Sequence, residues 1–323
     1  MALRLRDVTE EELLARLVPL LRGHDARVLL GPGDDTAWLT AGDGRYLATT
    51  DTMVRGHDWL DAWSTGEDVG HKTVAQNCAD IAAMGGVPTG LLVTLAADPE
   101  TQVSWCEGLA RGIGTAARAA GTCAVGGDLS GADAGTVMVS VTAFGSMEGR
   151  RPVLRSGARA GDVVAVAGTL GRSAAGWALL RDERAAAAPD LVQAHLRPTP
   201  PLRQGPLAAR RGAHSMIDLS DGLVRDAGRI GRASGVALDL STDLLREDVA
   251  ALVPALGEEA ARECVLTGGE EHSLLATFEE KASVPDGWRV IGHVRACDGS
   301  RPGVLVDGRP RSGGGWDHFD ASR

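Results

Sequence analysis

The chain has 323 residues, a net charge of −10 and a pI of about 5.3, with 44% hydrophobic and 24% charged residues. That length suits two domains with separate cores. The acidic balance argues against nucleic acid as a partner, which would call for a basic face. No apolar run approaches the ~20 residues needed to span a bilayer, and Met1–Asp7 lacks the apolar core of a signal peptide, so no membrane association and a cytoplasmic location are expected.

Thr9 to Glu12 has the spacing of a capping box. Leu13, Leu14, Leu17 and Leu21 follow as a helical stripe. Val28–Leu30 reads as a strand running into Gly31-Pro32-Gly33-Asp34-Asp35. Ala37–Leu39 and Tyr46–Thr50 read as a strand pair around Gly42-Asp43-Gly44. A helix is expected over Glu67–Met84, stopped by Gly85-Gly86. Then come a strand (Gly90–Ala96), a helix (Thr101–Ala119), a strand over Thr122–Val125 ending in Gly126-Gly127-Asp128-Leu129-Ser130, and a strand over Thr136–Phe144.

Gly145–Gly161, rich in Gly and Arg, is the best candidate boundary, giving domains 1–148 and 149–323. Beyond it lie a strand at Val163–Ala167, a helix after Ser173, a proline loop (Pro198, Pro200, Pro201) and a strand Ser215–Ile217 leading into Asp218-Leu219-Ser220-Asp221-Gly222. A helix from Leu223, a strand near Val236–Leu240, helices around Leu244–Cys264, and strands at Ser273–Thr277 and Trp288–Val294 precede a Gly-rich tail containing Trp316.

One theme recurs. Asp35, Asp51, Asp128 and Asp218 each follow a strand closely and sit beside Gly, Ser or Thr, and strand ends are a usual place for ligand-binding groups. Thr49-Thr50-Asp51 offers hydroxyl and carboxylate oxygens, which suit a hard cation such as Mg²⁺; it also reads as a strand running into a polar turn. Asp80 lies in an otherwise apolar helix, with Asn77 on the same face, and is either an exposed polar residue or a metal ligand. The lysines, Lys72 and Lys281, do not follow a Gly-x-x-x-x-Gly, which excludes a Walker A loop. The ensemble points to a multi-Mg²⁺ site for a polyphosphate. Gly126-Gly127 would let the backbone approach a phosphate, Ser220 would cap the helix after Asp218, and Arg155 is a candidate phosphate contact. Glu270 and Trp316 would hold a cationic aromatic ligand by charge and stacking. The five cysteines are scattered with no C-x-x-C pair, so neither a zinc site nor a disulfide framework is indicated.

The motifs GPGDD (Gly31–Asp35), TTDTMVRG (Thr49–Gly56), QNCADIAAMGGVP (Gln76–Pro88), GGDLS (Gly126–Ser130), LRSGA (Leu154–Ala158), GTLGRSAAG (Gly168–Gly176), HLRPTPP (His195–Pro201), IDLSDGL (Ile217–Leu223), GGEE (Gly268–Glu271) and GWDHF (Gly315–Phe319) come in one order along the chain. As a set they resemble thiamine-monophosphate kinase, of the superfamily that includes aminoimidazole ribonucleotide synthetase. The resemblance implies a two-domain α/β (α+β) protein: an N-terminal mixed sheet with helices that pairs in a homodimer, a C-terminal α/β domain, and an active site in a cleft between domains. It implies Mg²⁺ ligands at Asp35, Thr49, Thr50, Asp51, Asp80, Asp128, Asp218 and Asp221, with Asp51, Asp80, Asp128 and Asp218 central to catalysis. ATP contacts would fall at Gly127, Asp128, Arg155 and Ser220, and thiamine monophosphate contacts at Asp58, Glu270 and Trp316.

Three departures stand out. Many relatives carry His where Asp58 stands, and here His57 precedes it. The common GEDYEL reads Gly269-Glu270-Glu271-His272-Ser273-Leu274, and the last aromatic is Trp316 where Tyr is also common. The implied reaction is direct in-line transfer from ATP to thiamine monophosphate. The alternatives are another ATP-using enzyme of the superfamily and a non-catalytic nucleotide or thiamine-phosphate binding protein.

Overall fold

The structure, a computed structural model, describes residues 3–21, 23, 25–30, 37–297 and 301–311, the side chains of Trp38 and Ala282 excepted. The chain divides into two compact units, Met1–Ile81 with Gly86–Arg150, and Ala82–Gly85 with Arg151–Arg323. It is a mixed α/β fold throughout.

In the first unit, α1 (Glu10–Leu21) opens on the expected capping box: the Thr9 amide donates to Glu12 Oε2 at 2.8 Å and the Glu12 amide to Thr9 Oγ1 at 3.3 Å. Its buried stripe is narrower than the sequence suggests, with Leu13 and Leu17 inside and Leu14 exposed. β1 (Val28–Leu30) and β2 (Trp38–Leu39) pair with each other. The expected pairing of Ala37–Leu39 with Tyr46–Thr50 does not form. β3 (Leu47–Val54) instead pairs over its whole length with a later strand that can match its eight residues, which two-residue β2 cannot.

α2 (Gly66–Ala83), β4 (Val87–Ala97), α3 (Val103–Ala119), β5 (Ala124–Gly131) and β6 (Val137–Ser146) complete the unit. The sheet order is β3-β6-β4-β5, with β4 and β5 parallel and the other neighbours antiparallel. Burial alternates along β6: Val137, Val139, Val141 and Ala143 are buried, and the residues between them are half-exposed. α2 and α3 cross at glycines. A Cβ on Gly70 would lie 2.4 Å from the Leu109 carbonyl oxygen, and one on Gly112 would lie 2.2 Å from that of Glu67. Only glycine allows backbones this close, and the contact fixes α2 in place.

β5 departs from expectation. Gly126-Gly127-Asp128-Leu129-Ser130 was expected just after a strand, yet it lies inside one. Glycine is a poor strand former, but a Cβ on Gly127 would lie 2.0 Å from the Val93 carbonyl oxygen. The glycine therefore serves the close parallel pairing with β4, and the ladder overrides local propensity.

The second unit contains β7 (Val163–Ala167), α4 (Arg172–Arg181), α5 (Pro189–Leu196), α6 (Gln204–Arg210), β8 (Ser215–Asp218), α7 (Leu223–Ser234), β9 (Ala237–Leu240), α8 (Arg246–Leu256), α9 (Glu258–Thr267), β10 (Leu274–Phe278), β11 (Trp288–Arg295), β12 (Gly303–Val306) and β13 (Arg309–Pro310). The sheet order is β13-β12-β9-β11-β7-β10-β8, with only β12 and β9 parallel. Both faces are covered. Val164, Val166, Ile217 and Leu275 join Leu179, Leu223, Ile230 and Val265 in one core. Val163, Ala165, Met216, Leu274, Ala276 and Phe278 form another. Two-sided burial explains why Val163–Ala167 is apolar without a break. The sequence does not signal α5 or α6, which are short and set among prolines.

Among the described residues no helix is long and apolar enough to cross a membrane. The cysteines are free, with Cys78, Cys106 and Cys123 buried, and burial pushes the Cys78 thiol up to about 12, as befits an inert packing residue.

Candidate active site

The first cluster rests on β3 and α2. Strand alternation turns Thr49 and Asp51 to the same face. Asp80, three residues beyond Asn77, is on the facing side of α2. Thr49 Oγ1 donates to Asp80 Oδ2 at 2.6 Å, and the Asp51 amide donates to Asn77 Oδ1 at 3.1 Å. Asn77 is held in turn by its Nδ2, which donates to the Thr73 carbonyl at 2.8 Å. Asp80 is half-buried and partnered, so it is not a freely exposed polar residue. Thr50 faces the other way: its hydroxyl donates to the Val141 carbonyl at 3.0 Å and accepts from Thr142 at 3.1 Å.

Asp128 does not join this cluster within the chain. It pairs in register with Thr94, Thr94 with Ser140, and Ser140 with Thr52. Thr52 and Ser140 bond to each other at 3.0 Å on the Thr50 side of the sheet. Asp128 is therefore on the face opposite Asp51 and Asp80, exposed, with Ser130 Oγ donating to it at 3.2 Å. Asp58 takes the Val54 amide at 2.7 Å and so closes the turn after β3. His57 is exposed, and Trp59 is buried against Trp105 at 6.0 Å between ring centroids. Asp35 and Trp316 lie outside the described residues.

The second cluster is made by two loops zipped together. One follows β8 and the other precedes β10. The Leu219 amide donates to the Ser273 carbonyl, the His272 amide to that of Leu219, and the Glu270 amide to that of Ser220, at 2.8, 3.1 and 2.8 Å. Asp218, buried at the end of β8, faces His272 Nδ1 at 3.1 Å. Glu270 and His272 both take left-handed backbone angles, φ 60° and 54°, a state uncommon for Glu and more readily adopted by Gly, Asn, Asp and His.

Ser220 does not cap the following helix. Gly222 occupies that position without a side-chain bond, and the amides of Asp221 and Gly222 are taken by Asp226 Oδ2 at 2.9 and 3.1 Å. An acid inside the first turn of α7 has displaced the hydroxyl before it. Burial pushes the Asp226 carboxyl up to about 7, against the pull of the Arg229 guanidinium. Asp221 is bonded by Arg229 and lies 3.5 Å from Arg225 Nε, so cations of the chain itself already neutralise it. Glu270 is 3.5 Å from His195 Nδ1, which also meets Ser173 Oγ at 3.2 Å. Burial pushes the Glu271 carboxyl up, with the Thr169 hydroxyl bonded to it. Arg155 is exposed. Sequence reasoning passed over Asp226 and His195; an acid four residues past Gly222, at the start of a helix, was the available signal for the first.

Among the described residues no three His, Cys, Asp or Glu side chains converge to hold an ion by themselves. Mg²⁺ keeps several waters and is usually held by one or two carboxylates plus phosphate oxygens. The Thr49, Asp51, Asn77 and Asp80 oxygens are donors of the right hardness.

Two family models cover most of the chain: AIR synthase related protein, N-terminal domain, over residues 33–147, and its C-terminal domain over residues 159–304. Thiamine-monophosphate kinase of Mycobacterium tuberculosis (strain ATCC 25618 / H37Rv) is 47% identical over 306 residues, 93% of this chain and 89% of that protein. The chain belongs to the thiamine-monophosphate kinase family. Its fold agrees: the crystal structure of the Stenotrophomonas maltophilia K279a enzyme matches with a TM-score of 0.78 at 29% identity, over 96% of this chain and 99% of that one. AaThiL complexed with AMPPCP and TMP matches with a TM-score of 0.77 at 32% identity, over 99% and 100%. Family membership and the α/β fold agree with what the motifs implied.

Proposed function

We propose that this chain transfers the γ-phosphoryl group of ATP to thiamine monophosphate, giving thiamine diphosphate and ADP by direct in-line attack. The observation that carries the reading is the Thr49–Asp80–Asp51–Asn77 oxygen cluster, in a chain similar along nearly its whole length to a relative complexed with an ATP analogue and TMP.

The acceptor is a phosphate oxygen. A phosphomonoester has a second pKa near ~6, so it is largely deprotonated at neutral pH and needs no strong general base. The obstacle is repulsion between anions. Mg²⁺, when bound, supplies the positive charge that offsets it. Asp35, Thr49, Thr50, Asp51, Asp80, Asp218 and Asp221 are assigned to hold Mg²⁺. Of these, Thr49, Asp51 and Asp80 share one face, and Asp221 acts only after exchanging an arginine. Asp128 is assigned to a different ion from the one held by Asp51 and Asp80, since it occupies the other sheet face. Gly127, Asp128, Arg155 and Ser220 are assigned to ATP, and Asp58, Glu270 and Trp316 to thiamine monophosphate. The acting form is assigned as a cytoplasmic homodimer.

The test is an acceptor panel. The protein is incubated with Mg-ATP and thiamine monophosphate, thiamine, formylglycinamidine ribonucleotide or selenide. Thiamine diphosphate formed from thiamine monophosphate alone supports the assignment. Turnover of another acceptor in its place, or of none, defeats it.

A further inference from the structure

We propose that His272 is a positioning residue for the metal site: its Nδ1 proton holds one oxygen of Asp218 and leaves the other for the cation. The inference rests on the reading of Asp218 as a Mg²⁺ ligand. His272 is buried, at 5% exposure, and Asp218 is buried at 3%. Their 3.1 Å contact joins His272 Nδ1 to Asp218 Oδ2. A carboxylate can only accept, so the ring nitrogen is the donor. The ring reaches Asp218 because His272 sits at φ 54° while its amide is tied to the Leu219 carbonyl and the neighbouring Ser273 carbonyl to the Leu219 amide. The loop thus holds a left-handed histidine by two backbone bonds, and the side chain it aims touches the Asp218 carboxylate. Carboxylates that bind metals are oriented by such partners, whose loss typically lowers metal affinity 10–100-fold.

A positioning role for His272 and a merely structural one separate by substitution. Phe keeps the ring and removes the donor. Asn tolerates the left-handed angle and places an amide N–H where Nδ1 stood. With the full chain, ADP and Mn²⁺ as the probe, paramagnetic resonance of free Mn²⁺ gives the dissociation constant. His272→Phe should weaken Mn²⁺ binding about 10-fold or more, His272→Asn by no more than about 3-fold, and Asp218→Asn should remove an ion. In turnover, His272→Phe should raise the Mg²⁺ concentration for half-saturation while kcat at saturating Mg²⁺ largely recovers. Unchanged Mn²⁺ binding in His272→Phe, or equal losses in the Phe and Asn variants, overturns the positioning role. Asp218→Asn binding Mn²⁺ like wild type instead overturns the metal-ligand reading beneath it. Should His272→Phe fail to fold, ¹⁵N-histidine spectra of the wild type decide: Mg²⁺ should shift the His272 ring resonances, and their indifference overturns the proposal.

Discussion

The two clusters are built in opposite ways. In the first unit, Thr49, Asp51, Asn77 and Asp80 stand on the interior of a strand and a helix, so their positions follow from ladder and helix geometry. In the second, Asp218 sits at a strand end and is surrounded by two loops zipped by backbone bonds, with two residues in left-handed conformations and a buried acid tying the turn at Asp221 and Gly222. Regular elements place ligands through periodicity. Loops place them through individual hydrogen bonds, each of which can be lost singly. The first cluster should therefore be limited by chemistry and by packing behind it, the second by its local bonds and their protonation.

The largest effect should come from the rigid cluster. Asp51→Asn is expected to lower kcat about 100-fold or more with an unchanged circular dichroism spectrum, because the Asp51 amide that bonds Asn77 is untouched. A variant that loses its fold instead would mean that this cluster is held by its side chains, as in the second unit.

The next effect is in pH dependence. Unfolded Asp226 ionises near the ordinary 3.8, whereas in the folded protein burial delays ionisation to about 7. Below pH ~4 both states hold the proton, and the group has its most favourable effect. Between pH 4 and 7 the unfolded state releases the proton first, so stability falls by up to about 1.4 kcal/mol per pH unit. Denaturant titrations from pH 4 to 7 should show this fall in the wild type and a flatter profile in Asp226→Asn. Parallel profiles would remove protonation from the account of the second cluster.

Smaller still is the packing behind α2. Gly112→Ala forces a methyl group against the Glu67 backbone and should cost about 1–3 kcal/mol. Its melting temperature should drop on the order of 5 °C, and activity should fall as Asp80 shifts; a neutral result would show that α2 does not depend on this crossing. Smallest is Thr49→Val, which strips Asp80 of its hydroxyl partner. A loss of about 1 kcal/mol is expected, read as a modest rise in the Mg²⁺ requirement with little change in melting temperature.

Legibility in the sequence follows the same division. The capping box at Thr9, α2 with its Gly85-Gly86 stop, and the strands at Val163 and Ser215 were readable because periodicity and caps are local signals. The extension of β5 through two glycines was not, since the Val93 carbonyl that requires Gly127 is more than thirty residues away. Thr49 and Asp51 could be read as hard-cation ligands from their oxygens, while Asp80 stayed open between an exposed polar residue and a metal ligand and was grouped with them only by the family resemblance. The face that Asp128 occupies could not, because it depends on register across three strands. Asp226 in place of Ser220 as the keeper of the turn had a local signal, an acid four residues past Gly222, whereas the Arg229 guanidinium shared by Asp221 and Asp226 is a tertiary choice.

The central claim is tested most directly by following ATP and thiamine monophosphate together by phosphorus NMR with the wild-type protein and Mg²⁺. Phosphoryl transfer predicts that ADP and thiamine diphosphate appear in equal amounts as both substrates decline. ATP left intact, or ADP and inorganic phosphate forming without thiamine diphosphate, would contradict it.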